Sequence, residues 1–437
     1  MRIVVTGGAG QLGTAVIRRL LQNRKHTVVC LDTRPPVVVP AGRIRAVRVD
    51  VRDQTIRRHL HGADALIHLA FVMSAPLPRA ELHAINVDGS RNVFEAAVEV
   101  GIPHILYSSS VAAYGFVPGH PNPVVEDSPR KNQSWFAYAS AKYEVEAFLD
   151  ELERGRPDVA VTRFRPGILV GAHMEHALGR ALRAGVLPYT SRAPLPVVWD
   201  EDVADAFALA LDRRVAGAFN LVADEPLSAR MLARATGLRS VPAPRPLLKL
   251  LNALARVADS GWVDGAAVVP VFSAEKAKRE LGWTPRCPTS RAVIERFRQE
   301  ISQRLDPRLR AFFAAVALVG RFRAPPDEAR GVRARVHLHL GGPRGGDLGI
   351  LLEDGRLRVE RGIPRPPTSI ARVPAETFLD FLRGKQSFST AHMTGHIQIE
   401  GDPSAAMLLQ GMVTTFRARF GGKNKEASTS PTSGGEG

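Results

Sequence analysis

The stretch Arg2-Ile3-Val4-Val5-Thr6-Gly7-Gly8-Ala9-Gly10-Gln11-Leu12-Gly13 decides the fold. Its first residues form a β-rich apolar run that opens straight into glycine. Over 11–22 the apolar positions then recur at helical spacing, through Leu12, Ala15, Val16 and Leu20. The order is strand, glycine turn, helix. Glycines at 7, 10 and 13 let the chain turn tightly, let backbone N–H groups approach a pyrophosphate, and let the helix pack close to the strand. The helix N-terminus turns its partial positive charge towards those phosphates. A second strand over 27–31 ends at Asp32, 19 residues beyond Gly13. A carboxylate there accepts hydrogen bonds from an adenosine ribose and repels a 2′-phosphate, which favours NAD over NADP. Arg34 keeps NADP open, because an arginine two residues on can hold that phosphate.

The alternation continues with strand patterns over 44–49, 65–69 and 104–109, a short helix over 54–60 and a long one over 84–100. It predicts an α/β, doubly wound parallel sheet with ligand at the carboxyl ends of its strands. The last of these strands runs into Ser108-Ser109-Ser110-Val111-Ala112-Ala113-Tyr114-Gly115. Serines at a strand exit serve either to turn the chain or to hold a substrate oxygen. Further on stands Tyr138-Ala139-Ser140-Ala141-Lys142, in a segment without a helix breaker from Trp135 to Leu149. Tyr138 and Lys142 therefore share one helical face. An ammonium one turn away favours the phenolate and should lower the phenol from its usual pKa of about 10. Such a tyrosine can exchange a proton with a hydroxyl or carbonyl.

As a set, these pieces resemble the extended short-chain dehydrogenase/reductase family, which includes nucleotide-sugar epimerases and 3β-hydroxysteroid dehydrogenases. Asp50-Val51, His68-Leu69-Ala70, Asn86-Val87-Asp88-Gly89 and Arg165-Pro166-Gly167 add to the match, and Val198-Trp199-Asp200-Glu201-Asp202-Val203-Ala204 resembles a substrate-domain segment. The resemblance covers 1–302 and implies a Rossmann sheet with a substrate lobe mainly over 168–302. It implies Tyr138 as catalytic base or acid, Lys142 as its activator and nicotinamide-ribose ligand, and Ser110 as the donor to the substrate oxygen. The implied NAD contacts are Gly7, Gly10, Gln11, Leu12, Gly13, Asp32, Asp50, Val51, Leu69, Ala70, Tyr138, Lys142 and Pro166. Asp50 and Val51 would lie by the adenine, and Pro166-Gly167 by the nicotinamide. The implied reaction is reversible hydride transfer between a secondary alcohol and NAD, in a homodimer. Family dehydratases place Asp-Glu directly after the catalytic hydroxyl residue. Val111-Ala112 stand here, so sugar dehydration is not expected.

Within the lobe, residues 245–258 read as an amphipathic helix with a leucine face, either a packing helix or a greasy entrance. His173-Met174-Glu175-His176 lacks further clustered ligands, and no metal is expected. Residues 303–309 read as a linker. A separate small α+β domain over 310–422 follows, with strands over 332–340, 348–353, 356–361, 368–373 and 394–399, and helices over 374–382 and 403–412. The segments Ala375-Glu376-Thr377-Phe378-Leu379-Asp380-Phe381-Leu382 and Gly395-His396-Ile397-Gln398-Ile399-Glu400-Gly401-Asp402 resemble the sterol carrier protein 2 (SCP2) family. That family encloses an apolar tunnel for sterols or acyl chains; a tunnel-less domain kept for packing stays open. His337 and His339 alternate on one strand face and read as ordinary strand residues. The tail over 423–437 is expected to be disordered.

The chain has 437 residues, 45% hydrophobic and 23% charged, enough for two or three packed domains. Two cysteines, Cys30 and Cys287, cannot form a disulfide framework, which fits a cytoplasmic protein. No leader peptide or membrane-spanning run is expected. The net charge of +16 is dispersed rather than striped. That argues against nucleic acid and allows at most weak contact with an anionic membrane. A dehydrogenase joined to a lipid-carrier module points to a sterol or other lipid alcohol as substrate. The rivals are a nucleotide-sugar epimerase or reductase, and a non-catalytic lipid-transfer protein.

Overall fold

Ile3, Val4 and Val5 are all fully buried, as a strand covered on both faces requires. They belong to β1 (Arg2–Thr6) of the computed structural model. In chain order there follow β2 (Thr27–Asp32), β3 (Ile44–Arg48), β4 (Ala65–His68), β5 (His104–Ser108), β6 (Ala160–Pro166), β7 (Ile168–Val170), β8 (Val186–Tyr189), β9 (Val197–Trp199), β10 (Gly217–Leu221) and β11 (Arg239–Pro242). Seven of them form one sheet in the order β10-β6-β5-β4-β1-β2-β3. Every pairing in it is parallel, so all carboxyl ends share one edge. At one side, β3 is largely exposed and carries Arg45 and Arg48, charges that discourage a further strand from pairing.

The two faces have separate cores because side chains alternate along each strand. Ile3 and Val5 face Leu12, Val16 and Ile17 of α1 (Gln11–Leu20), with Val203 and Phe207 from a later helix, Asp200–Arg213. Val4, Leu66 and Ile105 face Val93 and Phe94 of α2 (Gly89–Glu99) and Val145 and Leu149 of α3 (Ala137–Gly155). The later helix is α4. The structure describes residues 1–34, 43–73, 77–171, 174, 177–183, 185–244, 246, 261–265, 267–301, 307–319, 333–341, 345–353, 356–361, 367–387, 390–391, 396–402 and 408–414.

Two boundaries differ from the sequence reading. The helix expected over 84–100 opens as an α-turn, Arg79–His83, and then a π-turn, Ala84–Asp88, before α2 begins. Within the wider turn Asn86 faces inward, and its amide grips both backbone groups of Val72, at 2.8 and 2.9 Å. Such turns recur at functional sites. Meanwhile α3 starts at Ala137, with Phe136 still extended, so Tyr138 sits in its first turn.

The lobe beyond β6 pairs β7 with β9 and β8 with β11, around Leu187, Trp199, Leu232, Val293 and Phe297. The leucine-rich segment 245–258 lies outside the described residues except for Pro246, and so do His173, Glu175 and His176.

The chain divides into two compact units, Met1–Ser302 and Gln303–Gly437. In the second, α5 (Pro307–Val319) begins inside the stretch read as a linker, with proline at its first helical position and Leu309 already buried. A mixed sheet follows: β12 (Arg333–Gly341), β13 (Gly346–Glu353), β14 (Arg356–Arg361), β15 (Ser369–Pro374) and β16 (Gln398–Gly401), in the order β14-β13-β12-β15-β16. Only β12 and β15 pair in parallel among these strands. One face packs Val336, Leu338, Leu340 and Ile350 against Phe312 and Phe313 of α5 and Phe378 of α6 (Ala375–Arg383). Residues 408–414 are helical and add Leu409 and Met412 to that core. The Asp354-Gly355 turn and the tail over 423–437 lie outside the described residues. No described helix is long and apolar enough to cross a membrane.

Candidate active site

The carboxyl edge of the parallel sheet gathers the sequence-predicted residues. At the end of β1, Gly7 takes φ +70°, a conformation that favours glycine, and a Cβ there would lie 2.5 Å from the Ala70 nitrogen. A Cβ on Gly13 would lie 2.2 Å from the Gly7 carbonyl oxygen. Gly10 instead has φ −74° and caps α1 with no side-chain bond to the helix. The first N–H groups of α1 are thus left open towards the turn. Leu12 is buried in the core, so only its backbone can face a cofactor. The Gln11 amide donates to the Asp200 carboxylate at 3.0 Å. Burial, with the Glu201 charge, pushes Asp200 up to about 7 against the Gln11 bond.

Asp32 lies at the end of β2 and fixes the turn: its Oδ2 accepts from the Ala9 N–H and its Oδ1 from the Arg34 N–H, both at 3.0 Å. Arg34 therefore engages the very carboxylate that opposes a 2′-phosphate. The side chain of Arg52 takes up Asp50 through two bonds of 3.0 and 2.8 Å and thereby lowers its pKa. Val51 packs against Gly89, and its carbonyl accepts from Asn92 at 2.7 Å. Leu69 donates its N–H to Thr6 at 3.1 Å, which sets Ala70 against Gly7. Pro166 closes β6 and is buried, and the next N–H, on Gly167, donates to Leu221.

Tyr138 lies 8% exposed in an aromatic nest, with the Phe71 ring edge-on at 5.5 Å and Phe136 at 6.0 Å. Of the three serines, Ser110 is the one hydrogen-bonded to Tyr138. Its Oγ also accepts from the Ala112 N–H at 3.1 Å, which caps the turn Val111–Tyr114. Lys142 donates to the Ser108 carbonyl at 2.7 Å and to the Tyr107 hydroxyl at 3.1 Å, and it lies 3.6 Å from the centre of the Phe71 ring. Its nitrogen stands 5.9 Å from the Tyr138 ring centre.

This arrangement corrects the expected sign of the tyrosine shift. Burial pushes Tyr138 up to about 12, opposed by the Ser110 hydrogen bond. Burial also pushes Lys142 well below its ordinary value, opposed by the Glu146 charge. Helical spacing places the two residues on one face but carries no information about desolvation, which here sets the sign of both shifts. The protein's own groups therefore hold Tyr138 as a neutral phenol, a proton donor. Beside it opens a cleft whose walls include Val72, Met73, Leu82, Arg79, His83 and Tyr138.

The family model described as "NAD dependent epimerase/dehydratase family" matches residues 3–221. The chain belongs to that family. A second model, the SCP-2 sterol transfer family, matches residues 320–414, so an NAD-dependent oxidoreductase module is joined to an SCP2 module. The chain is 32% identical over 228 residues to D-erythronate dehydrogenase of Cupriavidus necator, across 44% of this chain and 66% of that one. It is 28% identical over 203 residues to 3beta-hydroxysteroid-dehydrogenase/decarboxylase isoform 1 of Arabidopsis thaliana, across 42% of this chain and 45% of that one. Its fold resembles that of UDP-glucose-4-epimerase from Stenotrophomonas maltophila, solved with NAD and formylated UDP-arabinopyranose. The TM-score is 0.56 at 24% identity, over 69% of this chain and 99% of that one. The glycine turn, with Gly10 capping α1 and no side chain over the helix N-terminus, fits the family's dinucleotide.

In this family member a buried ion-pair network, illegible in the sequence, holds the site together. Glu146 of α3 is fully buried and accepts from Arg165 of β6 at 2.9 and 2.5 Å, from Arg130 at 3.0 Å and from Ser109 at 2.5 Å. Arg165 also donates to the Tyr114 hydroxyl at 2.6 Å, which donates to Asn220 of β10 at 2.8 Å. The helix bearing Tyr138 and the loop bearing Ser110 are thereby tied to one guanidinium. Burial alone would raise the Glu146 pKa, but the charge and hydrogen bonds of Arg165, with Arg130 and Ser109, bring it down to about 2. A carboxylate depressed in the folded state stabilises above its ordinary value of 4.5, and that contribution drains away as pH falls towards 2. Glu146→Gln leaves Arg165 buried without a counter-charge and is expected to cost about 3–5 kcal/mol. Thermal melts at pH 7 should show the loss, and the two proteins should converge progressively as pH falls from 4.5 towards 2. Parallel melting curves across that range would refute this assignment.

Proposed function

We propose that the chain interconverts a secondary alcohol and a ketone on a lipid-like substrate, a sterol 3-hydroxyl or a long-chain β-hydroxy/keto compound, with NAD as hydride partner. Bound at the glycine turn, NAD supplies the hydride acceptor, and NADH the donor. Tyr138 gives its phenolic proton to the ketone oxygen in reduction and takes it from the alcohol in oxidation. Ser110 hydrogen-bonds the same substrate oxygen, and Lys142, fixed by Ser108 and Tyr107, holds the nicotinamide ribose. Asp32 takes the adenosine ribose. The observation that carries the reading is the Tyr138 phenol, with Ser110 beside it, inside an aromatic nest at the carboxyl edge of the sheet.

Three features support the lipid substrate. Met73, on the wall of the cleft beside Tyr138, is 45% exposed, and Trp135, just before α3, is 48% exposed. Large apolar side chains left in water near a site favour an apolar ligand. The SCP2 module supplies a carrier for such ligands. Both relatives described above bear dehydrogenase names, one of them a hydroxysteroid enzyme. The same reading carries a cytoplasmic homodimer with weak attraction to anionic lipid.

The full chain with NAD⁺ and a panel of sterols, long-chain β-hydroxy compounds and UDP-sugars is expected to generate NADH fluorescence with the lipid alcohols. Native mass spectrometry of the purified protein should show a co-purifying dinucleotide and lipid. Epimerised UDP-sugar formed without net NADH would replace this reading with the epimerase one. No NADH from any alcohol and no epimerised sugar would favour a non-catalytic carrier.

A further inference from the structure

Three potential metal ligands converge on the second unit's sheet, on the face opposite its apolar core. Along β12, Val336, Leu338 and Leu340 enter that core, so His337 and His339 point the other way. Asp347 of β13 stands directly opposite His339, and Gly349 opposite His337 adds no side chain. The His337 Nε2 lies 2.7 Å from Asp347 Oδ1, and the His339 Nδ1 lies 2.8 Å from that same oxygen. All three ligand atoms lie within 4.8 Å of one another.

Two imidazoles aimed at one carboxylate oxygen leave their ring nitrogens gathered around a common point. Arg372 of β15 is in register with His339, but its charge is turned to Glu400 at 2.5 Å. His337 is nearly buried, and the His339 side chain is 42% exposed, which gives an ion a route in from water.

We propose that His337, His339 and Asp347 bind a divalent transition-metal cation, with zinc as the representative ion. Two imidazoles and one carboxylate match the donor set of three-ligand zinc sites, which leave a position to water. In the metal-bound form each imidazole turns an unprotonated ring nitrogen to the ion. Asp347 binds as the carboxylate, so affinity should fall as pH is lowered and the ligands take up protons. The ion clips β12 to β13.

The test uses the full chain, stripped with a chelator and dialysed against Zn²⁺. The expected results are about one tightly held zinc per chain and a raised melting temperature for the second unit. His339→Gln, at the half-exposed ligand, should weaken binding by more than the roughly 10–100-fold that losing an outer partner costs. Asp347→Asn should weaken it likewise, while NAD binding by the first unit serves as a control for folding. Co²⁺ added to the unmodified chain should give visible absorption bands that Zn²⁺ abolishes. No retained zinc and no cobalt bands in the unmodified chain would overturn the site. Full zinc retention by His339→Gln would place any ion elsewhere and overturn it too.

Discussion

Tyr138→Phe is expected to bind NAD as the unmodified chain does and to lose turnover by about 10²–10⁴-fold, the usual worth of a positioned proton donor or acceptor. The substitution removes only the hydroxyl. The ring remains between Phe71 and Phe136, whose centres lie 5.5 and 6.0 Å away, so the nest should keep its packing. Lys142 keeps its bonds to Ser108 and Tyr107, because neither involves Tyr138. Fluorescence titration with NADH should therefore be unchanged while kcat collapses. The direction of reaction matters to the pH dependence. With the phenol pushed up to about 12 by burial, the proton-donating form is present throughout the neutral range. Ketone reduction should be flat with pH there, and alcohol oxidation, which needs the phenolate, should rise as pH rises. Near-normal turnover in Tyr138→Phe would remove the proposed mechanism, whatever the substrate proves to be.

The fold was legible wherever a local pattern carried the physics. Runs such as Ile3-Val4-Val5 suit a strand buried on both faces, and the glycine spacing suits a tight strand-to-helix turn. What escaped was set by partners distant in the chain. Asn86 lies in a π-turn because it reaches Val72, and no local periodicity announces that. Glu146 looks like any helical glutamate until Arg165 of β6 and Ser109 close on it. The pairing of Tyr138 with Lys142 followed from helical spacing, but the sign of the tyrosine shift depended on burial, which spacing does not encode. The Gln11 amide meets Asp200, a partner 189 residues on, which no local pattern announces. His337 and His339 read as ordinary strand residues because their third partner arrives from the neighbouring strand.

Three of the four glycines of the opening motif, Gly8, Gly10 and Gly13, should fail in different ways, and this separates folding from cofactor binding. A methyl group on Gly13 meets only backbone: the Gly7 oxygen at 2.2 Å, the Gly8 Cα at 2.6 Å and the Gly8 carbonyl carbon at 2.8 Å. Backbone cannot yield as a flexible side chain can, so α1 must move away from the turn. Gly13→Ala should lower the melting temperature without any ligand and abolish measurable NAD binding. At Gly8 the nearest atoms are the Cys30 Sγ at 2.4 Å and the Ile17 Cδ1 at 2.7 Å, both side-chain atoms. Gly8→Ala is therefore expected to cost packing, typically about 1–3 kcal/mol for overfilling a core. Gly10 behaves otherwise. Its backbone suits any residue, and its nearest neighbour is the Gly7 oxygen at 3.2 Å. Gly10→Ala should leave the unliganded protein within about 1 kcal/mol, the usual cost of changing an N-cap glycine. NAD binding should nevertheless weaken strongly, because the new methyl group stands at the helix N-terminus where the pyrophosphate must approach the N–H groups. Melting without ligand, followed by NADH titration of each variant, reads the two effects apart. If Gly10→Ala binds NADH as tightly as the unmodified chain, the pyrophosphate does not pass over this turn, and the assignment of the cofactor to it fails.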